Sequence, residues 1–106
     1  GGDREKEKRP RMGQAVARLA DFAVVTSDNP RTEDPEAIIR DILPGMAAAA
    51  GRYAVEPDRR KAIALAMEQG RAGDVILLCG KGHETYQEIG NETHPMDERE
   101  IVRSLL

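Results

Sequence analysis

The sequence predicts an α/β domain with a mostly parallel sheet flanked by helices, and three observations predict it. Segments with apolar residues at helical spacing alternate with short β-branched runs, a pattern that selects parallel strands joined by right-handed crossovers. The most apolar run, Asp74-Val75-Ile76-Leu77-Leu78, is short enough to be a strand buried on both faces, and it is assigned to the middle of the sheet. Gly90-Asn91, lying between Tyr86–Ile89 and Glu92–His94, is a two-residue β-hairpin signal ahead of the last helical segment.

The elements follow in order. Arg11 to Ala20 carries an apolar stripe of Met12, Val16, Leu19 and Ala20, with Pro10 near its start, where a missing N–H costs nothing. Phe22-Ala23-Val24-Val25 reads as a buried strand, and a polar loop runs from Thr26 to Glu33. Asp34-Pro35-Glu36 caps a second helix with Ile38, Ile39, Ile42 and Leu43, which Pro44-Gly45 kinks or ends, although Met46 and the alanines after it can carry a last turn. Arg52 to Val55 is a strand. Pro57-Asp58 opens a third helix with Ala62, Ile63, Ala66 and Met67 inward and Gly70 as its stop. Asp97, with Glu100 three residues on, forms a capping box in front of Ile101, Val102 and Leu105. The whole is Rossmann-like, a sheet between helices with a β-hairpin before the last helix.

Composition bounds the function. A chain of 106 residues, 40% apolar, supports one domain over 1–106 with one modest core. With 16 basic against 19 acidic side chains it lacks a broad positive field, so neither nucleic acid nor an anionic membrane is an expected partner. There is no tryptophan, and the aromatics are only Phe22, Tyr53 and Tyr86, which removes base-stacking platforms. The single Cys79 permits no internal disulfide and is expected to be a small buried core residue in a reducing cytoplasm. No run approaches the ~20 apolar residues of a membrane span, and no signal peptide is recognisable. The first residues, Gly1-Gly2-Asp3-Arg4, read as a loop without a strand before it, so a preceding part of the domain is expected.

Two polar clusters fall where a parallel sheet gathers its ligands, at the carboxyl ends of strands. Asp28-Asn29-Pro30-Arg31 follows the first strand, and Gly80-Lys81-Gly82-His83-Glu84 follows the apolar run. If those strands are neighbours, the clusters face one crevice and suit a zwitterionic amino acid. A guanidinium grips a carboxylate by two parallel bonds, glycine lets the backbone approach, and Glu84 can receive an ammonium. Each cluster alone also has a plain reading, as an ordinary Asx-Pro turn and as a glycine-rich strand exit. His83 and His94, with one cysteine and scattered acids, do not make a metal set. Neither histidine is paired with a nucleophile. The mixed run Arg4-Glu5-Lys6-Glu7-Lys8-Arg9 reads as a solvated lead-in to the first helix.

Taken jointly, Gly1-Gly2-Asp3-Arg4, Lys8-Arg9-Pro10, Val24-Val25-Thr26, Asp28-Asn29-Pro30-Arg31-Thr32 and Gly80-Lys81-Gly82-His83-Glu84 resemble the C-terminal domains of the Mur ligases that add diaminopimelate. The resemblance covers essentially the whole chain in the same order. It implies that Asp28-Asn29-Pro30-Arg31 is the recognition motif for meso-diaminopimelate, since lysine-adding relatives carry another residue at the fourth position. It further implies that Arg4, Asp28, Asn29, Pro30, Arg31, Gly80 and Glu84 contact the amino acid. Arg31 and Asn29 would hold the distal carboxylate, Glu84 and the Gly80 backbone the distal ammonium, and Arg4 another carboxylate. The implied reaction is ATP-dependent ligation onto UDP-MurNAc-L-Ala-D-Glu. An acyl phosphate forms and is attacked by the incoming amine, with ATP and Mg2+ bound mainly by an upstream central ATPase domain. The chain departs from the family pattern at His94-Pro95-Met96-Asp97-Glu98, where relatives often carry an aromatic and a pair of acids. A free-standing α/β module for a small anion or zwitterion is the competing reading, motivated by the lack of a complete catalytic set.

Overall fold

Three aspartates start three of the four α-helices. In the computed structural model, which describes residues 1–106, Asp34 accepts a hydrogen bond from the Glu36 amide at 3.1 Å and opens α2, Pro35–Ile42. Asp58 accepts from the Lys61 amide at 3.1 Å and opens α3, Arg59–Gln69. Asp97 accepts from the Arg99 amide at 3.0 Å and opens α4, Glu98–Leu105. Each satisfies an amide that the first helical turn leaves without a partner. The reciprocal bond of a capping box, from the Glu100 side chain to Asp97, is not made; Asp97 caps alone.

Strands β1 (Ala23–Val25) and β2 (Tyr53–Val55) pair in parallel, with Ala23 opposite Tyr53 and Val25 opposite Val55. Their crossover is α2 followed by a 3-10 helix, Leu43–Ala49, which begins where Pro44 cannot continue the α-helical ladder. Ala50 then takes φ +51° and turns the chain into β2. Strands β3 (Tyr86–Ile89) and β4 (Glu92–Pro95) form the antiparallel hairpin, with Gly90 at φ +60°. A single bridge between Arg31 and Ile89 ties the hairpin to the loop after β1. The fold is α/β as expected, with a short parallel sheet, helices around it and the hairpin before the last helix.

The main core joins Ala17, Ala23, Val25, Ile39, Met46 and Ala49. A second cluster, Ile63, Met96 and Ile101, packs α3 against α4 with Leu78 beside it. Met96 thus fills a core position at the place where the family pattern is broken. No helix is long and apolar enough to cross a membrane.

Four expectations are corrected. Asp74–Leu78 forms no strand: it joins no ladder, and Val75 and Leu77 are 84% and 78% exposed. Apolar content states that a run gains by burial, but a strand exists only beside a partner, and here the single parallel pair, β1 with β2, leaves the run outside the sheet. Cys79 at its end is exposed rather than buried. Helix α1, Lys8–Leu19, buries Arg9, Gly13 and Ala17, whereas Met12, Val16 and Leu19 face outward. The helix docks by backbone approach through small residues. A methyl group on Gly13 would sit 2.6 Å from the Ile42 carbonyl oxygen, and one on Gly45 would overlap that of Pro10. Arg9, read as solvated, is accordingly buried.

Candidate functional site

The loop 1–4, the turn after β1 and the turn 80–84 meet at one end of the sheet, and hydrogen bonds between them define a cleft. Gly2 donates its amide to the Asn29 carbonyl at 2.7 Å, and a methyl group at Gly2 would overlap the Pro30 carbonyl oxygen. Only glycine allows the two segments to lie so close. Asp3, at φ +54°, donates its amide to Glu33 at 2.6 Å and accepts from the Thr32 hydroxyl at 2.6 Å.

Arg9 anchors this end of the molecule from below. Its guanidinium donates to Glu33 at 2.6 Å, to Asp41 at 2.7 Å and to the Gly1 carbonyl at 3.1 Å. Its Nε is buried without a partner. The bond from Arg9, aided by the Asp3 amide, holds the Glu33 carboxyl below the ordinary carboxylate range, and the bond to Glu33 raises Arg9 in turn.

Arg31 is a non-glycine residue at φ +53°, a conformation that costs about 1 kcal/mol and persists only when neighbours enforce it. Three contacts do so. Its amide donates to the Glu88 carbonyl at 3.1 Å, its carbonyl accepts from the Gly90 amide at 2.6 Å, and its Nε donates to the Glu88 carboxylate at 2.8 Å. Its Nη1 also reaches the Gly2 carbonyl at 2.9 Å. Further Nη protons remain uncommitted.

Between the turns lies a buried polar knot. The Lys81 side chain is wholly buried and donates to Asp28 at 2.9 Å and to the Asn29 side-chain oxygen at 3.1 Å. Asn29, 2% exposed, also accepts from the Glu88 amide at 3.0 Å and donates from Nδ2 to Glu84 at 3.1 Å. Gln87 donates to the Asp28 carbonyl at 2.7 Å. Gly80 sits at φ +111°, reserved in practice for glycine, and a methyl group there would meet the Asp28 carboxyl at 3.5 Å. Arg59, on α3, closes the rear of both turns by donating to the Ser27 carbonyl at 3.1 Å and the Cys79 carbonyl at 2.9 Å while paired with Glu98.

The result is an open cleft of about 740 Å³ lined by charged residues, Asn29 and glycines, with Met12 its one hydrophobic residue. Six of the seven residues singled out in the sequence line it: Arg4, Asp28, Asn29, Arg31, Gly80 and Glu84. Arg4 makes no hydrogen bond within the chain and is exposed at the rim. Pro30 is fully buried behind the cleft and does not line it. His83 and His94 are exposed, and His94 lies 3.1 Å from Glu92. No three His, Cys, Asp or Glu side chains converge as a metal set. Sequence reasoning placed Lys81 in the cluster facing the crevice but not buried within it, read Arg9 as solvated, and passed over Glu33 and Glu88. The only local signal was that Lys81 stands between two glycines in the second cluster.

The cleft therefore offers fixed and free guanidinium groups opposite a carboxylate, an arrangement for a small molecule bearing both charges. UDP-N-acetylmuramoyl-L-alanyl-D-glutamate–2,6-diaminopimelate ligase of Geobacillus thermodenitrificans is 53% identical over 104 residues, 98% of this chain and 21% of that protein. The protein of the same name from a Synechococcus species is 57% identical over 106 residues, all of this chain and 21% of that protein. A solved structure of a ligase of that name superposes with a TM-score of 0.93 at 48% identity, covering 99% of this chain and 22% of that one. The chain thus spans about a fifth of the length of the relatives it matches. The family described as Mur ligase, glutamate ligase domain, matches residues 1–82, and the chain belongs to that family.

Proposed function

We propose that this chain is the amino-acid-binding domain of an ATP-dependent ligase of peptidoglycan synthesis, one that joins meso-diaminopimelate to UDP-MurNAc-L-Ala-D-Glu in the cytoplasm. The observation that carries the reading is that Arg4, Arg31 and Glu84 line one cleft. Arg31, held on one side by Glu88, keeps donors for the distal carboxylate that lysine lacks. Glu84, oriented by Asn29, is the acceptor for the distal ammonium. Arg4 and the Gly80 backbone complete the set, while Asp28, Asn29 and Pro30 shape it from behind. The domain contributes affinity, specificity and proximity of the attacking amine. ATP and Mg2+ belong to the upstream central domain of the longer protein, since this chain carries neither a phosphate loop nor a converging metal set. The length of the matching ligases supports this division of labour.

Titration calorimetry on the full-length protein, with nucleotide and UDP-linked acceptor present, tests the reading. Meso-diaminopimelate is expected to bind at least 100-fold more tightly than lysine, about 2.7 kcal/mol. Equal affinity for the two amino acids refutes it.

A further inference from the structure

The cleft's two working turns are joined by a group that the functional reading does not use. Lys81 carries an ammonium with no solvent contact, and removing such a charge from water is costly unless every bond it makes is well placed. Of its two acceptors, the Asp28 carboxylate at 2.9 Å supplies the opposite charge. The Asn29 side-chain oxygen at 3.1 Å adds no charge. What the second contact fixes is direction.

An amide oxygen has two lone pairs, and that of Asn29 receives one donor from Lys81 and another from the Glu88 backbone. Both positions are then filled by donors, so a flipped amide would set its NH2 group against an ammonium and an N–H. The amide has one orientation, and in it Nδ2 points at Glu84 Oε1, 3.1 Å away. Glu84 has no other hydrogen-bonding side-chain partner and is only partly buried, so this bond is what aims its carboxylate. The chain of cause runs from the Lys81 ammonium through a locked amide to the carboxylate that faces the cleft.

We propose that Lys81 is a positioning residue for amino-acid selection, acting through Asn29 on Glu84 without touching the substrate. The proposal rests on the reading of the cleft as a site for an amino acid with a distal ammonium. It differs from a purely structural role, in which Lys81 only pins the turn 80–84 to the turn after β1. A pinning role lowers activity toward every amino acid alike. A positioning role through Glu84 lowers it selectively for substrates that present the distal ammonium.

The test uses the full-length enzyme and two substrates, meso-diaminopimelate and 2-aminopimelate, which keeps the reacting amine and both carboxylates but lacks the distal amine. Wild type is expected to favour meso-diaminopimelate in kcat/KM by at least 30-fold. Lys81→Met, neutral and of similar length, is expected to shrink that preference to below fivefold, chiefly through a higher KM for meso-diaminopimelate, with KM for ATP within twofold. Asn29→Asp keeps the ion pair with Lys81 but replaces the donor to Glu84 by an oxygen. It is expected to lose the preference at some cost in melting temperature, since it sets a second carboxylate against Glu84, and as long as it folds it carries the test should Lys81→Met fail to fold. Preference retained in folded Lys81→Met, or in Asn29→Asp, overturns the proposal alone. A wild-type enzyme that does not discriminate overturns the reading of the cleft and the proposal with it, and is seen before any variant is made.

Discussion

Replacing Arg31 by alanine in the full-length protein isolates the contact on which amino-acid recognition is proposed to rest. The guanidinium spends Nε on Glu88 and one Nη1 proton on the Gly2 carbonyl, which leaves one proton on Nη1 and two on Nη2, enough for a two-bond grip on a carboxylate. Two charge-assisted bonds of about 1.5 kcal/mol each give about 3 kcal/mol, or roughly 150-fold in kcat/KM for meso-diaminopimelate. Little of that loss should appear as instability, because Glu88 is 36% exposed and rehydrates when its partner is gone. Alanine carries a Cβ as arginine does, so the cost of the positive φ is unchanged. Steady-state rates of UDP-linked product formation against amino-acid concentration, beside a thermal melt, measure both quantities. Arg31→Lys should recover only part of the loss, since an ammonium restores charge without the planar fork. A folded Arg31→Ala enzyme within about threefold of wild type would refute the reasoning.

Other perturbations address the frame around the cleft. Arg9→Met should lower stability by about 2 kcal/mol in thermal unfolding; the loss of a buried cation is moderated because Glu33 and Asp41 remain 24% and 43% exposed. Glu33 is held below the ordinary carboxylate range by Arg9. Its contribution is therefore fully present above the unfolded carboxylate value, near pH 4, and is lost as pH falls through its lower folded value. Denaturant titrations of wild type and Glu33→Gln should differ more at pH 7 than at pH 3. Gly45→Ala, which would press a methyl group on the Pro10 carbonyl, should cost about 2 kcal/mol or more in the same unfolding measurement, by parting α1 from the 3-10 helix.

What the sequence disclosed and what it withheld divide along the range of the forces involved. The caps at Asp34 and Asp58 are local, each bonding an amide within three residues, so composition alone located α2 and α3. The hairpin was legible for the same reason, through Gly90. Burial of Arg9 depends on acceptors 24 and 32 positions away, and that of Lys81 on acceptors 52 and 53 away. No window of sequence contains those partners, so Arg9 read as solvated and Lys81 as one more member of a cluster facing the crevice. The stripe on α1 misled because docking there follows the small Gly13 and Ala17 instead of the large apolar residues. At the cleft, the two turns were expected to meet if Asp74–Leu78 were a strand beside β1; they meet without that strand, through Lys81 and Asn29, and neither the burial of Asn29 nor the place of Pro30 behind the cleft was legible.

The uncovered run at Val75 and Leu77, whose backbone joins no ladder, has a practical consequence for handling a polypeptide of these 106 residues by itself. Unpaired backbone beside apolar side chains is a template for intermolecular ladders, so concentrated samples should self-associate. Lysine at position 75 or 77 should delay that aggregation without disturbing the cleft, which neither residue lines.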